Sequence, residues 1–190
     1  MSRTFPLIGE PLPLDLVNTR PAAADLLVTV DDLRAWLLAQ SERSPQARQF
    51  VDARLAPADV AAVRDVRDAT ARVLRAVRRG ARPATRDLKV LNEAQRTAPA
   101  AVELAWTGES LTAHRRRTGS PAARLTAWLA EAAAEFLADP AAANVRQCEA
   151  PDCVLLFLPA HPRRRWCSTI RCGNRVRVAR HYRRTRDSAR

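Results

Sequence analysis

All four cysteines of this 190-residue chain fall between positions 148 and 172. They form two pairs, Cys148 with Cys153 and Cys167 with Cys172, and four residues separate the members of each pair. Thirteen residues, 154–166, lie between the pairs. Four thiolates in two close pairs are what a tetrahedral zinc site needs, each sulfur about 2.3 Å from the metal. The commonest template has two intervening residues, so this spacing is looser than that template. The alternatives are two disulfides or four unligated thiols. Nothing in the chain suggests secretion, and cytosolic thiols stay reduced. His161 and His181 are substitute ligands on paper, but one falls in an expected turn and the other two turns or more past Cys172. A four-cysteine zinc site has no open position, so it is structural and not catalytic. A module this small buries little apolar surface. Zinc would supply much of its folding free energy, on the order of 10 kcal/mol or more.

Charge separates this stretch from the rest. Of the formal net charge of +12, residues 141–190 carry +9, with 12 arginines against three acids. The remaining 140 residues are nearly balanced. That is the footprint of a polyanion-binding module attached to an ordinary globular domain. Alanine is abundant and glycine scarce, which favours helices over a sandwich or barrel. Val154–Leu158 is far too short an apolar run to span a bilayer, and no apolar segment follows Arg3, so no membrane partner and no signal peptide are expected. The expected location is the cytoplasm.

The expected fold is α+β and mostly helical. An N-terminal helical domain with a β-hairpin, residues 1–140, precedes a small four-cysteine finger built from a β-hairpin and a helix, residues 145–187. Residues 1–10 read as coil or a short edge element. Leu12 to Thr19 reads as an apolar turn or short helix, in which Asp15 and Asn18 either contact a ligand or satisfy buried backbone groups. The second is the favoured reading. Thr29 and Asp32 form a capping box opening a helix over 29–40, with Leu33, Trp36 and Leu37 on one side. Residues 41–56 read as polar and irregular. Pro57 opens a long helix lined by Val60, Val63, Val66, Val73 and Leu74 and ended by Gly80, its Arg/Asp pairs a solvated face. A helix over 84–97 turns Leu88 and Leu91 inward. Alternation through Val102, Leu104 and Trp106, a turn at Gly108, and Leu111 onward predict a hairpin over 101–107 and 110–117. Arg115, Arg116 and Arg117 then contact DNA or protect an edge strand. Ser120 and Pro121 open a helix over 120–138 with an apolar stripe through Leu125, Trp128, Leu129 and Phe136.

Within the finger, strands over 145–147 and 154–158 flank the first cysteine pair, and Phe157 with Trp166 form a small core. A helix follows Cys172 to about 184, with Gly173 allowing close backbone approach at its start. Arg177, Arg180, His181 and Arg184 share one face at i, i+3, i+4 and i+7, while Val178 and Tyr182 pack on the core. The basic face suits phosphates or guanine edges. Asn174 and Arg175 sit beside the metal, where they either brace the loop or touch bases.

These residues carry a resemblance. Cys148-x4-Cys153, the run Val154–Leu158, Arg164-Arg-Trp-Cys-Ser168, Cys172-Gly-Asn-Arg175 and Arg180-His-Tyr-Arg-Arg184 resemble the CGNR zinc finger family over about 40 residues. Leu12-Pro-Leu-Asp-Leu-Val-Asn-Thr19 resembles the opening signature of the ABATE domain, the usual N-terminal partner of that finger. The resemblance implies a zinc-dependent, DNA-binding, stress-response transcription regulator. Duplex DNA is then the expected partner. The N-terminal half senses a small-molecule effector or forms a homodimer. The alternative is a basic RNA- or protein-binding zinc module beside a non-catalytic ligand-binding domain. No aromatic platform for single strands is visible, which counts against RNA. No enzyme is expected, because the N-terminal half has no cysteine, no histidine but His114, no phosphate-binding glycine loop and no Ser-His-Asp grouping.

Overall fold

The chain is described by a computed structural model that covers residues 5–6 and 9–187, without the side chains of 180–184, 186 and 187. Short α1, Leu12–Val17, starts beside Pro11 and Pro13 and buries Leu14 and Leu16 completely. In α2, Val30–Ser41, the capping box forms as its residues predict. The Asp32 backbone N–H donates to Thr29 Oγ1 at 3.1 Å, and the Thr29 N–H donates to the Asp32 carboxylate at 2.9 Å. Leu33, Trp36 and Leu37 point into the core.

The stretch expected to be irregular contains α3, Pro45–Val51. Pro45 supplies the start signal at the first helical position, while Ser44 stands at the N-cap without a side-chain capping bond. Two buried residues, Ala47 and Phe50, hold it down. Seven residues are too few for a periodic pattern to stand out, and tertiary packing forms the helix.

The longest helix is α4, Pro57–Val77. It ends as expected at Gly80, where φ is +62° and the next N–H, of Ala81, donates back to the Ala76 carbonyl at 3.0 Å. Its Arg/Asp face is not simply solvated. Arg67 is 1% exposed, and its guanidinium grips both Asp25 oxygens at 2.6 and 2.8 Å and Asp68 at 2.8 Å. Helix α5, Thr85–Thr97, packs on α4 and on α6. Leu91 is buried, but Leu88 is 40% exposed instead of inward. The inward row is Asp87, Val90, Leu91 and Ala94, and Leu88 lies about 100° round the helix from Asp87.

Strands β1, Ala100–Thr107, and β2, Ser110–Arg117, pair antiparallel from Thr107 opposite Ser110 to Ala100 opposite Arg117. Arg115 and Arg117 tie the hairpin to the next helix through Glu131, and Arg115 also reaches Glu135. Arg116 pairs across the strands with Glu103. That next helix, α6, Pro121–Ala138, is capped by Ser120 and buries Leu125, Leu129, Ala130 and Ala133. Trp128 stacks on Phe50 with ring centroids 5.8 Å apart.

A 3-10 turn, Pro140–Asn144, leads into the finger. Strands β3, Arg146–Gln147, and β4, Leu156–Phe157, pair antiparallel and are shorter than the spans 145–147 and 154–158 expected of them. A π-helical turn, Thr169–Gly173, runs into α7, Asn174–Asp187. One apolar cluster fills the space among α2, α3, α4, α5 and α6, and a second surrounds the cysteines. A third, built on Leu14, Leu74, Ala142 and Val145, receives Leu156 and Leu158 and so joins the two. No helix among the described residues is long and apolar enough to cross a membrane.

Candidate functional site

The four cysteine sulfurs lie within 4.8 Å of one another, and none is in a disulfide. The separations are 3.5 Å for Cys167–Cys172, 3.8 Å for Cys153–Cys172 and 3.9 Å for Cys153–Cys167. A regular tetrahedron with 2.3 Å arms has edges of about 3.8 Å, so this spacing fits zinc. His161 is no part of this cluster; it is exposed, and its Nδ1 accepts from the Arg163 N–H. The side chain of His181 lies outside the described residues.

Both loops are shaped by their intervening residues. In the first, the Cys153 N–H closes a turn onto the Ala150 carbonyl at 3.2 Å. Pro151 fixes one φ, and Asp152 takes φ +61°, a left-handed conformation that Asp tolerates better than most residues. In the second, Ser168 holds the chain: its carbonyl accepts from the N–H groups of Cys172 and Gly173, and its hydroxyl from Arg171. The bare backbone of Gly173 lies against the Trp166 ring; a Cβ there would stand 3.4 Å from that ring. The close approach expected of Gly173 is therefore to Trp166.

The electrostatics favour a cation. Burial alone would raise the Cys148 thiol, but the backbone N–H groups of Cys167 and Ala150 help to hold it below its ordinary value. Burial and the neighbouring Cys148 push Cys153 up to about 11, and burial with the surrounding thiols pushes Cys167 up further. The mutual crowding that raises Cys153 and Cys167 is what a divalent ion relieves, because it deprotonates its sulfur ligands.

Around this cluster lies a layer that sequence reasoning did not identify. Arg164 donates to the carbonyls of Leu158, Trp166 and Cys167, at 3.2, 3.2 and 2.7 Å, and its guanidinium stands 4.5 Å from the centre of the Phe157 ring. Its ionic partner, at 2.8 Å, is Glu10, 154 residues earlier. Glu10 is buried, and its other oxygen accepts from the Leu158 N–H at 2.6 Å. Asn18 meets Leu156 twice, accepting from its N–H at 2.8 Å and donating to its carbonyl at 2.9 Å. Asn18 thus satisfies buried backbone groups, as favoured, but those of the finger and not of its own helix end. Asp15, by contrast, meets side chains and not the backbone groups expected of it: Arg43 at 2.5 Å and Gln40 at 3.3 Å hold it, and burial raises its carboxyl above the ordinary aspartate value.

Of the basic residues singled out for nucleic acid, Asn174, Arg175 and Arg177 are exposed on the first turn of α7. Arg177 donates to Asn174 Oδ1 at 2.5 Å. Arg175 donates to the Pro151 carbonyl at 3.0 Å and lies 3.9 Å from Cys172 Sγ. Arg180, His181 and Arg184 fall on helical backbone with side chains outside the described residues, as does Tyr182. Val178 does not pack on the small core as expected; it is 53% exposed, and Val176 packs there instead. Val176 faces that core, and Val178, two residues on, lies about 200° round α7 and so points outward. Phe157 and Trp166 do contribute to that core.

A helical domain clamped to a closed four-cysteine module defines the class, a zinc-finger protein, and residues 144–185 match the family described as CGNR zinc finger. Residues 10–140 match ABATE, described as "Putative stress-induced transcription regulator". That match takes in more than half of the sequence, and the chain belongs to the ABATE family. Comparison with curated proteins finds no match.

Proposed function

We propose that this is a cytoplasmic, non-enzymatic transcription regulator whose finger binds duplex DNA. Cys148, Cys153, Cys167 and Cys172 hold one structural zinc. The zinc fixes the start of α7, and Arg177, Arg180, His181 and Arg184, spaced at i, i+3, i+4 and i+7, meet the duplex. The carrying observation is the concentration of charge: 12 arginines against three acids in residues 141–190, with α7 leaving directly from the fourth cysteine. Arg175, bonded to the first cysteine loop, braces the site in this reading, with Asn174 orienting Arg177.

The N-terminal half is the sensing or oligomerising part. Its hairpin supports the second role. Val102, Leu104, Trp106 and Leu111 share one face, each 60% exposed or more. A second copy of this chain, stacking the same face about a two-fold axis, would cover them.

The test is a salt titration of duplex binding by zinc-loaded protein, using a selected site and random DNA. Each neutralised phosphate releases counterions. Three phosphate contacts would give a slope of log K against log salt of roughly −3. No duplex bound at low salt would remove the DNA reading and leave α7 as an RNA- or protein-contact surface.

A further inference from the structure

Between α4 and the finger lies a cleft of about 620 Å³, within the usual range for small-ligand sites. Both halves of the chain build it. Arg67, Arg72 and Arg75 come from α4, Arg78 is the residue at its C-cap, and Arg20 comes from the segment after α1. Gln147 of β3, with Val154 and Leu156, comes from the finger.

Its charge is only partly compensated. Among the described residues Asp68 is the one acid lining it, and it is shared by Arg20 at 3.2 Å and Arg67 at 2.8 Å. Arg67 is also held by Asp25, and Arg72 by Asp87 at 2.8 Å. Arg75 and Arg78 have no carboxylate partner among the described residues. Arg78 uses its Nε on the Val145 carbonyl at 2.8 Å, which leaves its two terminal nitrogens for another acceptor. It is half-buried, and burial, with Arg79 and Arg75 beside it, lowers its pKa from the ordinary arginine value. A half-buried guanidinium among like charges is an arrangement that an oxyanion relieves, and its planar fork matches two oxygens of one anionic group. Beside the arginines, Val17, Ala71, Val154 and Leu156 give an apolar surface.

We propose that this cleft binds a small organic oxyanion, a phosphate or carboxylate group on a compact apolar body. Arg75 and Arg78 grip the anion, and Val154 and Leu156 cover the apolar part. Because Leu156 is the residue that Asn18 clamps, a ligand seated here touches the joint between the two halves. This names a ligand class for the sensing role given above. It rests on that reading only for its consequence on DNA, and binding is read directly.

The experiment is isothermal titration of the full zinc-loaded chain at constant ionic strength. The probes are 1-naphthyl phosphate and 1-naphthoate, which share an apolar body and differ in the anion. One-to-one binding of either probe is expected, and the tighter of the two assigns the anion. Arg75→Glu should weaken it at least tenfold, and Arg75→Lys by no more than about threefold. Arg75 makes no ion pair among the described residues, so both variants should keep wild-type zinc content and circular dichroism. Arg48→Glu, the same charge change on the exposed face of α3 and outside the cleft lining, should leave binding unchanged. The proposal is overturned if neither probe binds at 5 mM, or if Arg48→Glu weakens binding as much as Arg75→Glu. It also falls if the probes fail while Arg75→Glu weakens duplex binding, which would make the cleft part of a DNA-backbone contact. A protein that binds no duplex still gives the calorimetric answer, so the two readings fail separately.

Discussion

Asn18 and Leu156 hold each other by two hydrogen bonds, 2.8 and 2.9 Å long, across 138 residues of chain. The Asn18 side chain, with one acceptor and one donor, pairs with a backbone N–H and C=O of β4 as a neighbouring strand would. The Asn18→Asp variant keeps the acceptor but sets a carboxylate oxygen against the Leu156 carbonyl. The Asn18→Ala variant leaves both backbone groups unpaired. An unpaired group costs about 1–3 kcal/mol when fully buried, and these two are only partly buried, so Asn18→Ala should fall in the lower part of the summed range, at about 2–4 kcal/mol. Hydrogen exchange should show the Leu156 amide losing protection in Asn18→Ala and keeping more of it in Asn18→Asp, whose carboxylate still accepts from that N–H, while amides of α4 keep theirs. Unchanged protection at Leu156 in Asn18→Ala would dismiss the clamp.

Asp25 and Arg67 make a second long-range tie. Burial alone would raise the Asp25 carboxyl, but the paired Arg67, the Leu27 N–H and nearby Arg64 hold it below the ordinary aspartate value. A folded pKa below the unfolded one gives stability that is present above the unfolded value and lost as pH falls through the folded value. Asp25→Asn should therefore cost about 2–3 kcal/mol near pH 7, less than a fully buried pair because Asp68 still neutralises Arg67. Urea titrations of both proteins should show that gap constant above about pH 5 and shrinking below about pH 4. A gap that does not depend on pH would reject the ion pair as its cause.

Local signals were legible where the chemistry is local. Thr29 with Asp32, Ser120 with Pro121, Gly80 and the turn at Gly108 each act on neighbouring backbone, and each appears where its residues put it. The cysteine pairs converge for the same reason. What could not be read depends on partners far away in sequence. Phe50 holds α3 because Trp128 stacks on it, and nothing near residue 50 announces that. Arg67 looks like one of many surface arginines of α4 until Asp25 is brought beneath it. Glu10 and Arg164 carry no signal of pairing, although the Arg164 run lay within the finger motif. On α5 and α7 the periodicity was right, but the inward direction at Leu88 and Val178 was off by part of a turn, because packing sets the angle.

The metal centre gives a direct test. Protein purified without added metal should contain close to one zinc per chain by elemental analysis. Cys148→Ser should release it and unfold the region from 145 onward. The N-terminal helices should stay folded, because their apolar cluster is their own. Far-ultraviolet dichroism with and without a chelator should show a loss no larger than the finger's helical content. A zinc-free protein with its finger intact would rule the centre out.

The exposed face of the β1–β2 hairpin makes a prediction about assembly. Two stacked hairpin faces would bury Trp106 against its counterpart, and a two-stranded hairpin alone is marginally stable in water. Sedimentation velocity should show a dimer that Trp106→Glu converts to monomer. Folding should be unchanged, because Trp106 is 69% exposed within one chain. A monomeric wild type at tens of micromolar would reject the hairpin as the dimer surface.

Arg175 separates bracing from base reading. Its guanidinium joins the Pro151 carbonyl to the neighbourhood of Cys172 Sγ, so it links the first cysteine loop to the fourth cysteine. Groups in this position orient ligands, and their loss typically costs 10–100-fold in metal affinity. Arg175→Ala should therefore weaken zinc binding in a chelator competition by about that factor. It should also weaken binding to selected and random duplexes by the same ratio, and excess zinc should restore much of the loss. A base-reading arginine behaves differently: zinc affinity holds, and one position of the site loses its preference at a cost of about 1–3 kcal/mol. Running the competition and the two duplex titrations on the same variant distinguishes these outcomes. Intact zinc affinity with a position-specific loss would move Arg175 from the metal centre to the DNA face.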